Sequence, residues 1–227
     1  MISKIVLFSI FSFISLNIQA ISTINTFAGG GPDNVSALSA NILQPSDVVS
    51  NSAGNIYISS RSIGRVFKVD TAGLLTVVAG NGTDGFSMPD SLAVNASRLR
   101  PSKGCVDGDG NFYFADRGFQ RIRKVDAVTG ILTTVAGNGV AEFSGDGGLA
   151  TEASLRAPYA VSVDSKGDLY IADTGNHRIR RVDAETGIIS TVVGTASIGF
   201  SGDGGTAINA NLQFPADVSI DSSDNLY

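Results

Sequence analysis

The residues able to do chemistry are few. The 227-residue chain holds one histidine, His177, and one cysteine, Cys105. Zinc sites draw on three or four His or Cys ligands, and two such residues do not make one. A Ser-His-Asp hydrolase would need an activated nucleophile, and no Gly-x-Ser-x-Gly turn is present. Oxygen ligands are more plentiful. Asp107-Gly108-Asp109-Gly110-Asn111 has the composition of a calcium loop but lacks the distal Glu and the 12-residue register. Its counterparts, Asp164-Ser165-Lys166-Gly167-Asp168 and Asn51-Ser52-Ala53-Gly54-Asn55, read as hairpin turns. Phe143-Ser144-Gly145-Asp146-Gly147-Gly148 and Phe200-Ser201-Gly202-Asp203-Gly204-Gly205 offer glycines to an anion. No Lys follows in a phosphate-loop pattern, so tight backbone geometry explains them better. Asp173 and Arg178 flank a four-residue loop, and a charge-assisted pair between them would shape it. Asp116 and Arg121 stand likewise, whereas Ser60 faces Arg65 and predicts no pair.

These residues are positioned by short strands. Within 158–194, the runs 160–163, 169–172, 178–182 and 188–193 are rich in Val, Ile or Tyr and bounded by turn formers, which predicts an antiparallel four-stranded meander. The meander recurs. Pro45, Pro101, Pro158 and Pro215 are spaced by 56, 57 and 57 residues, and Val69-Asp70, Val125-Asp126 and Val182-Asp183 keep step. Val78-Ala79-Gly80, Val135-Ala136-Gly137 and Val192-Val193-Gly194 close each unit. One such sheet cannot bury both faces, so copies must stack. The predicted fold is all-β, a β-propeller of four-stranded antiparallel blades. Cys105 occupies a first-strand slot held elsewhere by Val49, Ser162 and Ser219, with no histidine in its own repeat, and reads as a small buried thiol.

Asp173-Thr174-Gly175-Asn176-His177-Arg178-Ile179-Arg180 resembles the motif that names the NHL-repeat family. Asp116-Arg117-Gly118-Phe119-Gln120-Arg121-Ile122-Arg123 resembles it less closely, and Ser60-Arg61-Ser62-Ile63-Gly64-Arg65-Val66-Phe67 less again. The resemblance covers nearly everything from Ile21 onward and implies a propeller of about six blades when complete. It is specific for fold and poor for function. Amidating lyases of this architecture use His-bound metal in the channel, and nothing here supplies that set. Propeller lactonases bind calcium through channel acids. The first strands carry Asp47, Lys103, Ala160 and Asp217 at the second position after each Pro, facing the predicted channel. A calcium-dependent, lactonase-like hydrolase is therefore the enzymatic alternative.

Residues 1–20 read as a secretory signal: Lys4, then a run of 12 mostly apolar residues, then Ala20. That run is shorter than a membrane span of about 20 residues. The domain expectation is a propeller over 21–227, with a lone outer closing strand at 21–29, blades at 45–82, 101–139 and 158–195, and the start of a fourth at 215–227. The half-made fourth blade reads as part of a longer protein. A net charge of −5 argues against a nucleic-acid surface. Three sequons, at Asn34, Asn81 and Asn95, are N-glycosylation acceptors in a eukaryotic secretory host. The 2–3 hairpins and the connectors after each fourth strand must emerge on one face. Asn176, His177, Arg178, Arg121, Asp146 and Asp203 are the residues expected to meet a protein or glycan partner there. The function expected is that of an exported interaction module, with no catalytic, metal or cofactor residues assigned.

Overall fold

The computed structural model describes residues 33–83 and 91–227. The expected leader (1–20) and lone outer strand (21–29) lie outside the described residues, as do residues 84–90. The described chain is all-β apart from single turns of 3-10 helix.

The first sheet holds β1 (Val35–Ser36), β2 (Pro45–Ser50), β3 (Ile56–Ser60), β4 (Arg65–Val69) and β5 (Leu74–Ala79). The second holds β6 (Ser91–Leu92), β7 (Pro101–Val106), β8 (Phe112–Asp116), β9 (Arg121–Val125) and β10 (Ile131–Ala136). The third holds β11 (Ala160–Val163), β12 (Leu169–Asp173), β13 (Arg178–Val182) and β14 (Ile189–Val193). Strand orders are β1-β5-β4-β3-β2, β6-β10-β9-β8-β7 and β11-β12-β13-β14, antiparallel throughout. Each sheet is thus one blade, with β2, β7 and β11 innermost, and β7 packs between β2 and β11. A fourth blade begins with an antiparallel bridge between Ile220 and Leu226.

The core lies between blades, as stacked half-buried sheets require. Tyr57, Phe112, Phe114, Leu99 and Leu132 fill the seam between blades one and two. There the Tyr57 and Phe112 rings stack with centroids 5.2 Å apart. Leu155, Val161, Ile171, Ile122 and Ile189 fill the next seam.

Two features go beyond the expected four-stranded plan. A short fifth strand edges the blade on the outside, where Val35 pairs with Leu75 and Leu92 with Ile131. A bridge from Leu149 to Ile188 holds the same position in blade three. The long connectors are also ordered. Ala93, Ala150 and Ala207 each accept the N–H of the glycine closing the preceding blade, Gly80, Gly137 and Gly194, at 2.8, 2.8 and 3.1 Å. Ala93 and Ala150 then donate to Gly130 and Gly187 of the following blade, at 2.8 and 2.9 Å. The connectors at Ala93 and Ala150 therefore each strap two blades together. Only a small residue fits, and Ala93, Ala96, Ala150 and Ala153 are all buried.

The closing glycines have a steric reason. Gly194 sits at φ +103°, and a Cβ there would lie 2.6 Å from the His177 carbonyl. Gly80 and Gly137 meet the carbonyls of Gly64 and Gln120 in the same way.

Candidate partner-binding face

The Gly-rich connector and the 2–3 hairpin do meet on one face. Asn176 Nδ2 donates to the Glu142 carbonyl at 2.9 Å and to Asp173 at 2.8 Å. The Phe143 ring lies beneath two guanidinium groups, Arg178 at 3.6 Å and Arg180 at 4.8 Å from its centroid. Arg180 also pairs with Asp146 at 2.6 Å and donates to the Ser144 carbonyl at 3.1 Å. Gly147 N–H bonds the Ile189 carbonyl at 2.8 Å, and Thr191 Oγ1 bonds Asp146 at 2.6 Å, which lays the loop along β14.

The expected Asp173–Arg178 ion pair is corrected. The two residues are opposite in register, but Asp173 pairs with Arg180 at 3.4 Å. Blade two repeats this, with Asp116 opposite Arg121 in register and paired with Arg123 at 3.4 Å. Alternation along a strand puts residues two apart on one side, and the diagonal neighbour is within reach of a long side chain. Arg178 instead lies over the Phe143 ring and donates to the Thr195 carbonyl at 3.3 Å. Arg121 donates to the Asn138 carbonyl at 2.9 Å, and Arg65 to the Asn81 carbonyl at 2.7 Å. These arginines tie the third strand to the residue after the closing glycine. Asp116, Asp173 and Arg180 are completely buried. Burial pushes the Asp116 and Asp173 carboxyls above the usual range, against the pull of their N–H and arginine partners, and lowers the Arg123 guanidinium.

Asn176 and His177 are buried, each 8% exposed. His177 sits in the left-handed region at φ 56°, its ring edge-on to Phe214. Its Nδ1 accepts the Phe214 N–H at 3.1 Å. Gln120, 57 residues earlier, does the same with Oε1 for the Ala157 N–H at 2.6 Å. Both latch a hairpin to the residue before the next blade's proline. Neither Asn176 nor His177 offers its side chain outward. The outward groups on this face are Asp146, Asp203, Phe143 and, above all, Phe200, which is 90% exposed. The guanidinium groups that cover Phe143 belong to Arg178 and Arg180, 35 and 37 residues on, and the equivalent positions for Phe200 fall after Tyr227.

The Asp-Gly turns are turns. Asp107 Oδ1 accepts the N–H groups of Asp109 and Asn111 at 3.0 and 2.9 Å, and Oδ2 accepts Asn111 Nδ2 and the Tyr113 hydroxyl at 2.8 and 3.0 Å. Asp221 repeats this set, and those donors pull its carboxyl down to about 2. Among the described residues, no group of three or more His, Cys, Asp or Glu is placed to hold a metal ion. Around the channel, Lys103 pairs with Asp217, and Asp47 Oδ2 accepts the Gly104 N–H at 2.8 Å. Cys105 is a free thiol packed against the seam core, and burial pushes its pKa above the usual thiol range, making it less acidic. Of the sequons, Asn34 and Asn95 are exposed, whereas the Asn81 amide is engaged with the Asn95 carbonyl at 3.1 Å and the Thr83 N–H at 2.9 Å. Among the described residues, no helix is long and apolar enough to cross a membrane.

Antiparallel blades strapped side by side, with an Asp-to-Arg hairpin on the connector face in blades two and three and a Ser-to-Arg one in blade one, form a β-propeller with NHL-type repeats. Its repeats are similar to those of the NHL-repeat family. The profile of the Teneurin NHL domain matches residues 139–227. Mouse teneurin-1 is 40% identical over 86 residues, 36% of this chain and 3% of that protein. Zebrafish teneurin-3 is 35% identical over 133 residues, 51% of this chain and 5% of that protein. The chain thus spans a small fraction of the curated relatives it matches. Among solved structures, a Bacteroides thetaiotaomicron protein of unknown function superposes with a TM-score of 0.62 at 21% identity, covering 79% of this chain and 42% of that one. A streptogramin B lyase superposes with a TM-score of 0.53 at 16% identity, covering 85% of this chain and 49% of that one. These likenesses concern the fold.

Proposed function

We propose that this chain is an exported interaction module that takes a protein or glycan partner on its connector face, without catalysing a reaction. The observation that supports it most is the repeated Phe-Ser-Gly-Asp-Gly-Gly loop. In its 143–148 copy the loop is fixed by Arg180 and Thr191 while Asp146 stays exposed, a rigid polar edge suited to contact. The similarity to teneurin NHL domains supports a binding role over a catalytic one. In this reading Arg121, Arg178, Asn176 and His177 shape the face from beneath, while Asp203 and Asp146 line it with the two phenylalanines.

The test is a screen of the secreted chain against extracellular proteins and a glycan array, run beside a Phe200→Ala/Asp203→Asn double variant. Ligands lost by the variant, at unchanged melting temperature, support the face. Ligands bound equally by both proteins reject it. The hydrolase reading has one observation in its favour, the Asp47 carboxyl at the channel wall, whose pKa burial pushes up to about 6. Calcium-dependent lactone hydrolysis that disappears in Asp47→Asn would carry that reading instead.

A further inference from the structure

A cleft of about 380 Å³ opens on the connector face between blades one and two, lined by Gln44, Arg61, Ser62, Thr83, Arg98 and Arg100. Its cause is a break in the repeat. The left-handed position that Gln120 and His177 use to latch the next blade is Gly64 in blade one, at φ 61°. A Cβ there would lie 2.7 Å from the Leu99 carbonyl, so no latching side chain fits. Without the latch the hairpin leaves a space, and three arginines stand around it in a chain whose net charge is −5. All three are exposed. The Arg98 guanidinium lies 5.9 Å from the Phe119 centroid, and the Arg100 stem rests on Gly118. Among the described residues, neither Arg61 nor Arg100 has a carboxylate within ion-pair distance. Arg65, Arg121 and Arg178, by contrast, donate to the carbonyls that follow the closing glycines. A guanidinium takes a planar oxyanion in two parallel bonds. The amide of Gln44 and the hydroxyls of Ser62 and Thr83 suit sugar hydroxyls, and the volume is at the small end of ligand sites.

We infer that this cleft binds an acidic sugar, one bearing carboxylate or sulfate, with Arg61 and Arg100 holding the oxyanion and Gln44, Ser62 and Thr83 the ring. This rests on the binding-module reading of the connector face and names one of its ligands. Isothermal titration of the whole chain with trigalacturonic acid, a sulfated chondroitin disaccharide, neutral chitotriose and hexaglutamate tests it. The expected result is binding of an acidic sugar over both the neutral sugar and the peptide, weakened by salt. Arg61→Ala/Arg100→Ala should lower that affinity about tenfold or more with an unchanged melting curve, and Arg61→Glu alone should lower it too. Binding of neither acidic sugar, equal binding by the variants, or hexaglutamate matching the sugars overturns the inference. Partners lost by Phe200→Ala/Asp203→Asn while no acidic sugar binds would refute this site and leave the module reading standing.

Discussion

Blades one and three share a strand plan and differ in what holds the connector face together. In blade three Asp173 and Arg180 are buried without exposure and linked through Asn176 to the Gly-rich loop. In blade one the same two positions are Ser60, bonded to the Leu43 carbonyl, and Phe67, also fully buried. The hairpins still pair in the same register, Ser60 with Arg65 and Asp173 with Arg178. The ion pair is therefore not needed to make a blade. Burying two charges costs several kcal/mol before their attraction offsets it, and an apolar replacement is often no worse. What blade three gains is reach: Arg180 extends past Asp173 to Asp146 and the Ser144 carbonyl, and so fixes a loop belonging to the preceding connector.

Breaking one partner tests this most severely. Asp173→Ala leaves Arg180 buried with half its compensation gone and should destabilise by about 3–5 kcal/mol in urea unfolding. Transplanting blade one's solution, Asp173→Ser with Arg180→Phe, should recover most of that loss. The transplant should still raise hydrogen exchange at Gly147, whose loop is no longer gripped. If the double variant is as unstable as the single one, the two blades are not alternative solutions to the same problem.

The hairpin tip gives the next contrast. Gln120 and His177 tolerate the left-handed conformation and use it, whereas Gly64 is crowded by the Leu99 carbonyl. Gly64→Gln, although it restores the residue type of blade two, should cost about 2 kcal/mol through steric strain. His177→Gln should change stability by under about 0.5 kcal/mol, because Gln120 already accepts the same N–H in blade two. His177→Ala should cost about 1–2 kcal/mol by leaving the Phe214 N–H without its acceptor. Equal effects of Gln and Ala at 177 would show that the hydrogen bond is idle.

Much of this architecture was legible in the sequence, because it depends on periods the chain repeats. The runs 160–163 and 178–182 are strands as expected, and 169–172 and 188–193 differ by one residue at one end. The turn reading of 107–111 holds because Asp107 spends its oxygens on its own loop. The Asp173 partner was misread because sequence distance favours the residue across the hairpin, and strand geometry favours the diagonal one. The buried state of Asn176 and His177 was not legible either. Both are polar residues in a loop, and only packing against the next connector covers them. The alanine straps were present as text, Ala37 and Ala40, Ala93 and Ala96, Ala150 and Ala153, but small residues between glycine-rich stretches do not announce a backbone partner.

The channel wall supplies the smallest effect and the last contrast. The first strand of blade three presents Ala160 there, while blade one presents Asp47, half-buried. Burial pushes the Asp47 carboxyl from 3.8 up to about 6; the Gly104 N–H and Lys103 oppose that shift and Asp217 adds to it. Below pH 3.8 both folded and unfolded chains hold this proton, and the group does not affect stability. Between 3.8 and about 6 the unfolded chain releases the proton first, so stability falls as pH rises. Above about 6 the loss is complete and constant. It should amount to about 1 kcal/mol, since water still screens part of the carboxyl. Asp116 and Asp173 are also raised and Asp183 is lowered, so the wild-type curve alone is a composite. Urea unfolding of wild type and Asp47→Asn at pH 4 and pH 7.5 isolates the residue. The variant keeps an acceptor for Gly104 and should be more stable than wild type at pH 7.5 by more than it is at pH 4. A stability difference that does not change with pH would mean that the carboxyl is ionised at both, and that the channel wall of blade one is as wet as open surface.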